Sequence, residues 1–367
     1  MNPVQNPFAP GAGTQPPALA GRETILADAV TALDRLKIGR PTRSQILVGL
    51  RGVGKTVLLN RIRELAEERG IEAILVEAHE EKSLPALLIP PLRKILLRLD
   101  ARENLSEKTK RGLRVLRSFI GKFKAKVKVG ELAEIELGVE PEHGTADSGD
   151  LESDLGDLFL AVAEAAQERG AQLCLLIDEL QYLNEVELSG LIMALHQISQ
   201  RNLPLMLVAA GLPLILGLTG RSKSYAERLF SFPAVGALSE EAAAAAIQSP
   251  AQAQGVEFTE QALLEIIRKT ERYPYFYSNG HMNRGTLLDP RRLPLKMSPT
   301  PRTRPSRSWT TASFAFVSIA LQSGKRIISS RWLLLAEGNS ARAISPISCK
   351  SKSHRSVLCE VRSSQKA

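Results

Sequence analysis

Ser44-Gln45-Ile46-Leu47-Val48-Gly49-Leu50-Arg51-Gly52-Val53-Gly54-Lys55-Thr56 decides how the rest of this 367-residue chain is read. An apolar run, Ile46 to Val48, feeds a loop of the form Gly49-x-x-x-x-Gly54-Lys55-Thr56, and a helical pattern begins at Val57. Strand, glycine-rich loop and helix in that order are the context of a phosphate-binding loop. Gly49, Gly52 and Gly54 admit backbone conformations closed to other residues. Successive N–H groups between Gly49 and Val57 can then turn inward around a phosphate. Lys55 would neutralise the β- and γ-phosphates, and the hydroxyl of Thr56 would take one position on a Mg²⁺ ion. The helix that follows aims its positive end at the same anion. A glycine-rich turn with a coincidental Lys-Thr is the bland alternative, and it leaves the flanking strand and helix unexplained.

The other half of such a site lies further along. Leu173-Cys174-Leu175-Leu176-Ile177 is continuously apolar and ends in Asp178-Glu179. A strand of a parallel sheet covered by helices on both faces reads this way, and ligands of open α/β sheets bind at the carboxyl ends of strands. Asp178 would hold the Mg²⁺, directly or through water, and Glu179 would orient and activate an attacking water. Alone, the pair could equally be a helix N-cap and a surface acid; after a phosphate loop that reading loses weight.

A chain of this length, with 44% hydrophobic residues, is long enough for two domains and a sizeable core. Its longest apolar stretch, Leu203 to Leu218, is interrupted by Pro204, Gly211 and Pro213, too broken to span a membrane. The N-terminus lacks the basic residues and apolar core of a secretory signal. The three cysteines make neither a disulfide framework nor a zinc pattern. A soluble cytoplasmic protein is the expectation. The net charge of +9 is unevenly placed. From Ser278 onward sixteen Lys and Arg face three acids, so the first 277 residues hold 32 basic and 36 acidic groups. The basic character belongs to the tail.

In chain order, residues 1–18 are rich in Pro, Gly and Ala and read as an extended segment. Helix and strand then alternate: a helix through Ile25, Ala29, Leu33 and Leu36, the loop and its helix with Leu58, Leu59, Ile62 and Leu65, and a strand from Ile71 to Val76. The spacing predicts a helix over Leu84 to Leu99, with a break or kink at Pro90-Pro91. Nine Lys and Arg and no acid lie between Lys108 and Lys128. The alternation at Lys124, Lys126 and Lys128, followed by Glu134 and Glu136, suggests a charge-complementary hairpin; a nucleic-acid-binding face is the alternative. This charged stretch, about 104–150, reads as an insert. Leu155 to Arg169 is an amphipathic helix, and another helix follows the strand-end acids. A strand spans Leu205 to Ala210, a short helix Ser224 to Phe230, and a last strand Phe232 to Val235. Ser239 and Thr259 stand where N-caps are wanted, for helices at 240–247 and 260–270. These two helices form a small helical domain, 238–277, behind the sheet domain of 19–237. After Tyr277 the periodicity vanishes and Ser, Arg, Lys and Pro dominate. Disorder is the physical expectation there, and the abrupt change is what a shifted reading frame would produce.

On these motifs, residues 8 to about 276 resemble an AAA+ P-loop ATPase of the initiator-type and STAND-like group. The resemblance is carried by Leu19-Ala20-Gly21-Arg22-Glu23 before the first helix, the Walker A loop Gly49 to Thr56, and the Walker B run Leu175 to Glu179. Ser224 to Phe230, the helical lid and Tyr273-Pro274 complete it. It implies an α/β fold, a parallel P-loop sheet flanked by helices with a helical lid, and ATP with Mg²⁺ held between sheet and lid. It also implies that Gly21, Arg22 and Pro274 lie near the adenine and that Arg228 acts as an arginine finger, on a neighbouring subunit if the protein assembles. A solvated helix end is the other reading of Arg228. Two positions depart from the family pattern. The sensor position at the end of the fourth strand reads Ala209-Ala210-Gly211 instead of a polar residue, and the lid turn has Arg272 where glycine is common.

The function expected is ATP hydrolysis to ADP and phosphate, coupled to lid movement, with Lys55, Thr56, Asp178 and Glu179 as the working residues. A switch or scaffold that holds ATP and scarcely hydrolyses it is the second reading, and a DNA-associated regulator using the Lys108 to Lys128 stretch the third. Partners expected are ATP or ADP and a protein partner or second copy, with no membrane.

Overall fold

The computed structural model describes residues 16, 19–100, 107–123, 139–222, 226–255 and 257–275, all within the first of two compact units, 1–317. The unit 318–367, the whole basic tail after 277, nearly all of the N-terminal segment and the proposed hairpin over 124–138 lie outside the described residues.

The elements alternate from the start. Helix α1 (Glu23–Lys37) precedes β1 (Ser44–Val48), and α2 (Lys55–Glu68) precedes β2 (Glu72–Glu77). Three helices follow, α3 (Leu84–Asp100), α4 (Glu107–Phe123) and α5 (Leu151–Glu168), and then β3 (Leu173–Asp178). A 3-10 turn, Leu180–Tyr182, leads into α6 (Glu185–Gln200), β4 (Leu205–Gly211), α7 (Ile215–Ser222), α8 (Ala226–Leu229) and β5 (Phe230–Ser231). Helices α9 (Glu240–Gln252) and α10 (Glu260–Lys269) complete the described chain.

The five strands form one parallel sheet in the order β2-β3-β4-β1-β5. Every residue of β1, β3 and β4 is buried, as expected of strands sandwiched between helices. Alternate side chains go to opposite faces. Ile46, Leu175, Ile177, Leu207 and Ala209 join the core beneath α3 to α6, whereas Leu47, Cys174, Leu176, Met206 and Val208 join the core beneath α1 and α2. The α/β class and the parallel flanked sheet are as expected. A separate small core, with Leu238, Ala243, Ile247, Leu263 and Ile266, holds the lid pair α9 and α10 together. Ser239 and Thr259 cap these helices, accepting from the N–H groups of Ala242 and Ala262 at 3.1 and 3.3 Å.

Two local expectations need correction, and one stretch that the sequence left unassigned proves to be a helix. The helix assignment of α3 runs unbroken through Pro90 and Pro91. Leu88, Ile89, Leu92, Ile95 and Leu96 are all buried around them, so packing outweighs the backbone bonds the prolines remove. The last strand is Phe230–Ser231, earlier than expected. Beyond it Pro233 has no N–H to donate, and pairing to β1 continues only as single bonds, Val48 N–H to Pro233 O at 2.9 Å and Val235 N–H to Val48 O at 2.7 Å. The basic stretch after Lys108 begins as a helix, α4, whose Leu113, Leu116, Phe119, Ile120 and Phe123 are buried in the main core.

Part of its basic side is paired within the chain. Arg111 reaches Glu142 at 2.9 Å and Glu164 at 3.3 Å, Arg114 reaches Glu142 at 3.7 Å, and Arg117 donates to the carbonyl of Val139. Charge complementarity therefore exists, between α4 and the loop before α5. One carboxylate also ties two helices. Glu187 completes a capping box with Asn184 at the start of α6, and its other contact is the N–H of Leu84 at the start of α3, 2.7 Å away. Among the described residues no helix is long and apolar enough to cross a membrane.

Candidate functional site

The glycine loop sits at the carboxyl end of β1, with β4 on one side and the chain after β5 on the other. Gly49 N–H donates to Gly211 O at 3.1 Å, which anchors the loop base to β4. A Cβ on Gly49 would stand 2.2 Å from Val235 O, so glycine is required there by close approach and not by an unusual φ. Gly52 and Gly54 do have left-handed backbones, with φ of 82° and 92°, where a side chain would be strained. A Cβ on Gly54 would meet nothing within 4 Å, so the space above the loop's end is open. Val53 is buried beneath the loop, while Leu50 and Arg51 stand exposed at its tip.

Lys55 opens α2 directly behind Gly54. Its ammonium donates to Gly49 O at 3.0 Å and Leu50 O at 2.9 Å, inside the curve of the loop. The residue is only 6% exposed. Burial lowers the lysine pKa, and the charges of Glu179 and Asp178 partly restore it. The cation is held at the loop without a carboxylate in contact.

Thr56 joins the two halves of the site. Its hydroxyl donates to Asp178 Oδ2 at 2.6 Å, across 122 residues of sequence. Asp178 Oδ1 accepts from the N–H of Glu179 at 2.8 Å. Burial pushes the Asp178 carboxyl up, opposed by the hydrogen bonds from Thr56 and Glu179. A hydroxyl and one carboxylate side by side are hard oxygen ligands, the donor set that fits Mg²⁺ completed by phosphate oxygens and water. Among the described residues no group of three or more His, Cys, Asp or Glu converges on a metal position.

Glu179 leaves β3 with φ 52° and ψ 41°, a left-handed backbone uncommon for a residue with a side chain. The chain thereby turns at once into the Leu180–Tyr182 turn. Gln181 Nε2 donates to Glu179 Oε2, and Gln181 Oε1 accepts from the N–H of Leu212 at 3.0 Å. Tyr182 accepts from Arg51 Nη2 at 3.1 Å, linking this turn to the loop tip. Neither Gln181 nor Tyr182 was singled out in the sequence. Their position one turn after the strand-end acids was the available signal.

The remaining site residues are placed unevenly. Arg22 is buried, and its guanidinium donates to Val53 O at 3.1 Å and Gly236 O at 2.6 Å, bracing the glycine loop against the segment that leads to the lid. Gly21 packs under the lid, where a Cβ would come within 2.7 Å of Ala242 Cβ in α9. Pro274 precedes Tyr275, whose N–H donates to Gly52 O at 3.1 Å, so the end of the lid touches the loop. In the lid turn Glu271 and Arg272 both hold left-handed backbones, with φ of 49° and 62°, in the conformation glycine would take without strain. Arg228 is exposed on α8, and no hydrogen bond or ion pair joins it to Lys55, Thr56, Asp178 or Glu179. Val57 lies partly buried in the first turn of α2.

Among solved structures, the fold is similar to Cdc6p from Pyrobaculum aerophilum, at 15% identity over 66% of this chain and 52% of that one, with a TM-score of 0.40. It is also similar to AMPPCP-bound DnaA from Aquifex aeolicus, at 12% identity over 70% of this chain and 59% of that one, TM-score 0.38. RuvB from Thermotoga maritima shares 15% identity over 71% of this chain and 60% of its own, TM-score 0.37. The chain spans about half the length of the first of these. None of the curated proteins matches it. Residues 18–208 match the AAA ATPase domain, a stretch that runs from the segment before α1 through the glycine loop and Asp178 into β4. That match covers just over half of the chain and takes in both halves of the site, and it shows that the chain belongs to the AAA ATPase domain family.

Proposed function

We propose that the protein binds ATP at the Gly49 to Thr56 loop and hydrolyses it to ADP and phosphate, with the nucleotide state setting the position of the lid. The observation that carries this reading is the 2.6 Å hydrogen bond from Thr56 to Asp178, which brings the loop and the strand-end acids to one point. Bound Mg²⁺ would supply charge neutralisation for the phosphates. Thr56 and Asp178 would hold it, and Lys55 would exchange its two loop carbonyls for phosphate oxygens. Glu179, the next residue along, would orient a water molecule and accept its proton as the water attacks the terminal phosphate. Coupling of the lid to the nucleotide is supported by the bond from the Tyr275 N–H, at the end of the lid, to Gly52 O in the loop.

Nucleotide binding and phosphate release should be measured for the wild type, Lys55→Ala and Glu179→Gln. Lys55→Ala is expected to weaken ATP binding about 100-fold, the loss of a charge-assisted contact of roughly 1.5–3 kcal/mol. Glu179→Gln is expected to keep binding and lose turnover. Unchanged affinity in the first variant, or unchanged turnover in the second, would remove the role assigned to that residue.

A second reading has one observation in its favour. The end of β4 is Ala209-Ala210-Gly211 and offers no polar side chain of its own toward the site. A protein that holds ATP as a switch and scarcely turns it over would purify with ATP bound and release almost no phosphate.

A further inference from the structure

We propose that Gln181 is a positioning residue for the base, holding Glu179 against the backbone just after β4. This rests on the role given to Glu179 above.

The carboxamide of Gln181 makes two bonds of opposite sense. Its nitrogen donates to Glu179 Oε2 and its oxygen accepts from Leu212 N–H at 3.0 Å. A flipped amide would set oxygen against carboxylate and N–H against N–H, so the two partners determine the orientation. The turn that carries Gln181 is anchored on both sides, by Leu180 at 0% exposure and Leu183 at 5%. The left-handed backbone of Glu179 brings the turn back toward β4 immediately after the strand.

β4 is built to receive this side chain. A Cβ on Gly211 would lie 3.2 Å from Gln181 Oε1, so a larger residue would crowd the amide. The small Ala209-Ala210-Gly211 end and the glutamine therefore complement each other. Gly211 O also accepts from Gly49 N–H at 3.1 Å. The path from Glu179 through Gln181 to Leu212, and from the adjoining Gly211 to Gly49, references the base to the phosphate loop. A carboxylate on a short, turned segment would otherwise sample several rotamers, and small displacements of a catalytic group are costly in rate.

The test uses the full chain with ATP and Mg²⁺, comparing wild type, Gln181→Ala, Gln181→Glu, Glu179→Gln and the Glu179→Gln/Gln181→Ala double variant. Steady-state phosphate release gives kcat and KM, a fluorescent ATP analogue gives Kd, and thermal melting checks the fold. Gln181→Ala is expected to lower kcat on the order of tenfold to a hundredfold, with Kd for the analogue within about twofold of wild type. Gln181→Glu keeps the acceptor for Leu212 N–H and turns the contact with Glu179 repulsive. It should lose at least as much kcat while melting like wild type. The double variant should be no slower than Glu179→Gln, because the glutamine acts through the glutamate. A wild-type kcat in Gln181→Ala, or an equal further fall in the Glu179→Gln background, overturns the assignment while leaving the ATPase reading intact. A wild type without turnover, or a Glu179→Gln variant as fast as wild type, removes the base itself and this assignment with it.

Discussion

The glycine loop with its facing acids and the basic helix α4 are both dense in charge, and burial separates them. Lys55 and Asp178 are 6% and 5% exposed, held by a loop, a helix end and a strand end. Arg111 and Arg114 have side chains 43% and 36% exposed and lean on Glu142 and Glu164. A buried charge is expensive unless something compensates it, and at the loop Lys55 has carbonyls in place of a counter-ion. With Glu179 and Asp178 acting on it only from beyond contact, the site holds an incompletely compensated cation. The ion pairs on α4 need no ligand, since their partners are within the chain. Charge density in a sequence says little about binding until exposure and pairing are known.

The largest expected effect lies on the opposite side of α4 from its charges. Phe119 is fully buried and packs against Phe123 in a tilted arrangement, with ring centroids 4.6 Å apart. Phe119→Ala should destabilise the protein by about 3–5 kcal/mol, read by urea or thermal unfolding. A loss below about 1 kcal/mol would mean that α4 is an appendage and not part of the core.

A smaller effect, of opposite sign, is expected at the loop. Burial holds Lys55 below the ordinary lysine value of 10.5, so the unfolded chain binds this proton more tightly than the folded one. Below the folded pKa both states are protonated and the full cost of the buried charge is present. As pH rises from that value to 10.5 the folded lysine releases its proton first, and stability returns. Lys55→Met should therefore make the ligand-free protein more stable at pH 7, by about 1 kcal/mol. The gain should shrink as the pH approaches that of free lysine. Equal melting temperatures at neutral pH, or a gain that grows with pH, would contradict the contrast drawn here.

The smallest effect is expected from the paired arginines. Arg111→Ala should lose about 0.2–1 kcal/mol at low salt, and less in 1 M NaCl, because exposed ion pairs are weak and screened. A loss of several kcal/mol would place Arg111 with the buried charges instead. Reactivity offers an independent check on the sheet between the two regions. Burial pushes the Cys174 thiol up to about 12, so alkylation of the folded protein at pH 8 should leave Cys174 unmodified while denaturant exposes it. Rapid native labelling would show β3 to be far looser than its burial indicates.

Much of this architecture could be read locally. Apolar runs such as Leu173 to Ile177 and stripes such as Leu58, Leu59 and Ile62 report which face is buried, because the backbone repeat imposes the pattern. Caps at Ser239 and Thr259 are equally local, a side chain bonding an N–H three residues on. Helix α4 is less legible, because six cations are interspersed with the apolar stripe Leu113, Leu116, Phe119, Ile120 and Phe123 that runs at helical spacing. Pro90 and Pro91 misled for a related reason: a local rule against helix was outweighed by burial on both sides of the prolines.

The sequence by itself determined the class of fold, the glycine loop between strand and helix and the strand-end acids, since each depends on residue types at short, regular spacing. Only the tertiary structure decided that Arg22 braces Val53 and Gly236, that Gln181 spans Glu179 and Leu212, and that Arg111 is matched by Glu142 and Glu164. Most of these contacts join residues some 30 to 210 positions apart. Arginine and glutamine have the same local propensities whether they end in solvent or on a buried carbonyl. Their roles follow from where strands and helices bring distant backbone groups together, a distance that no periodicity records.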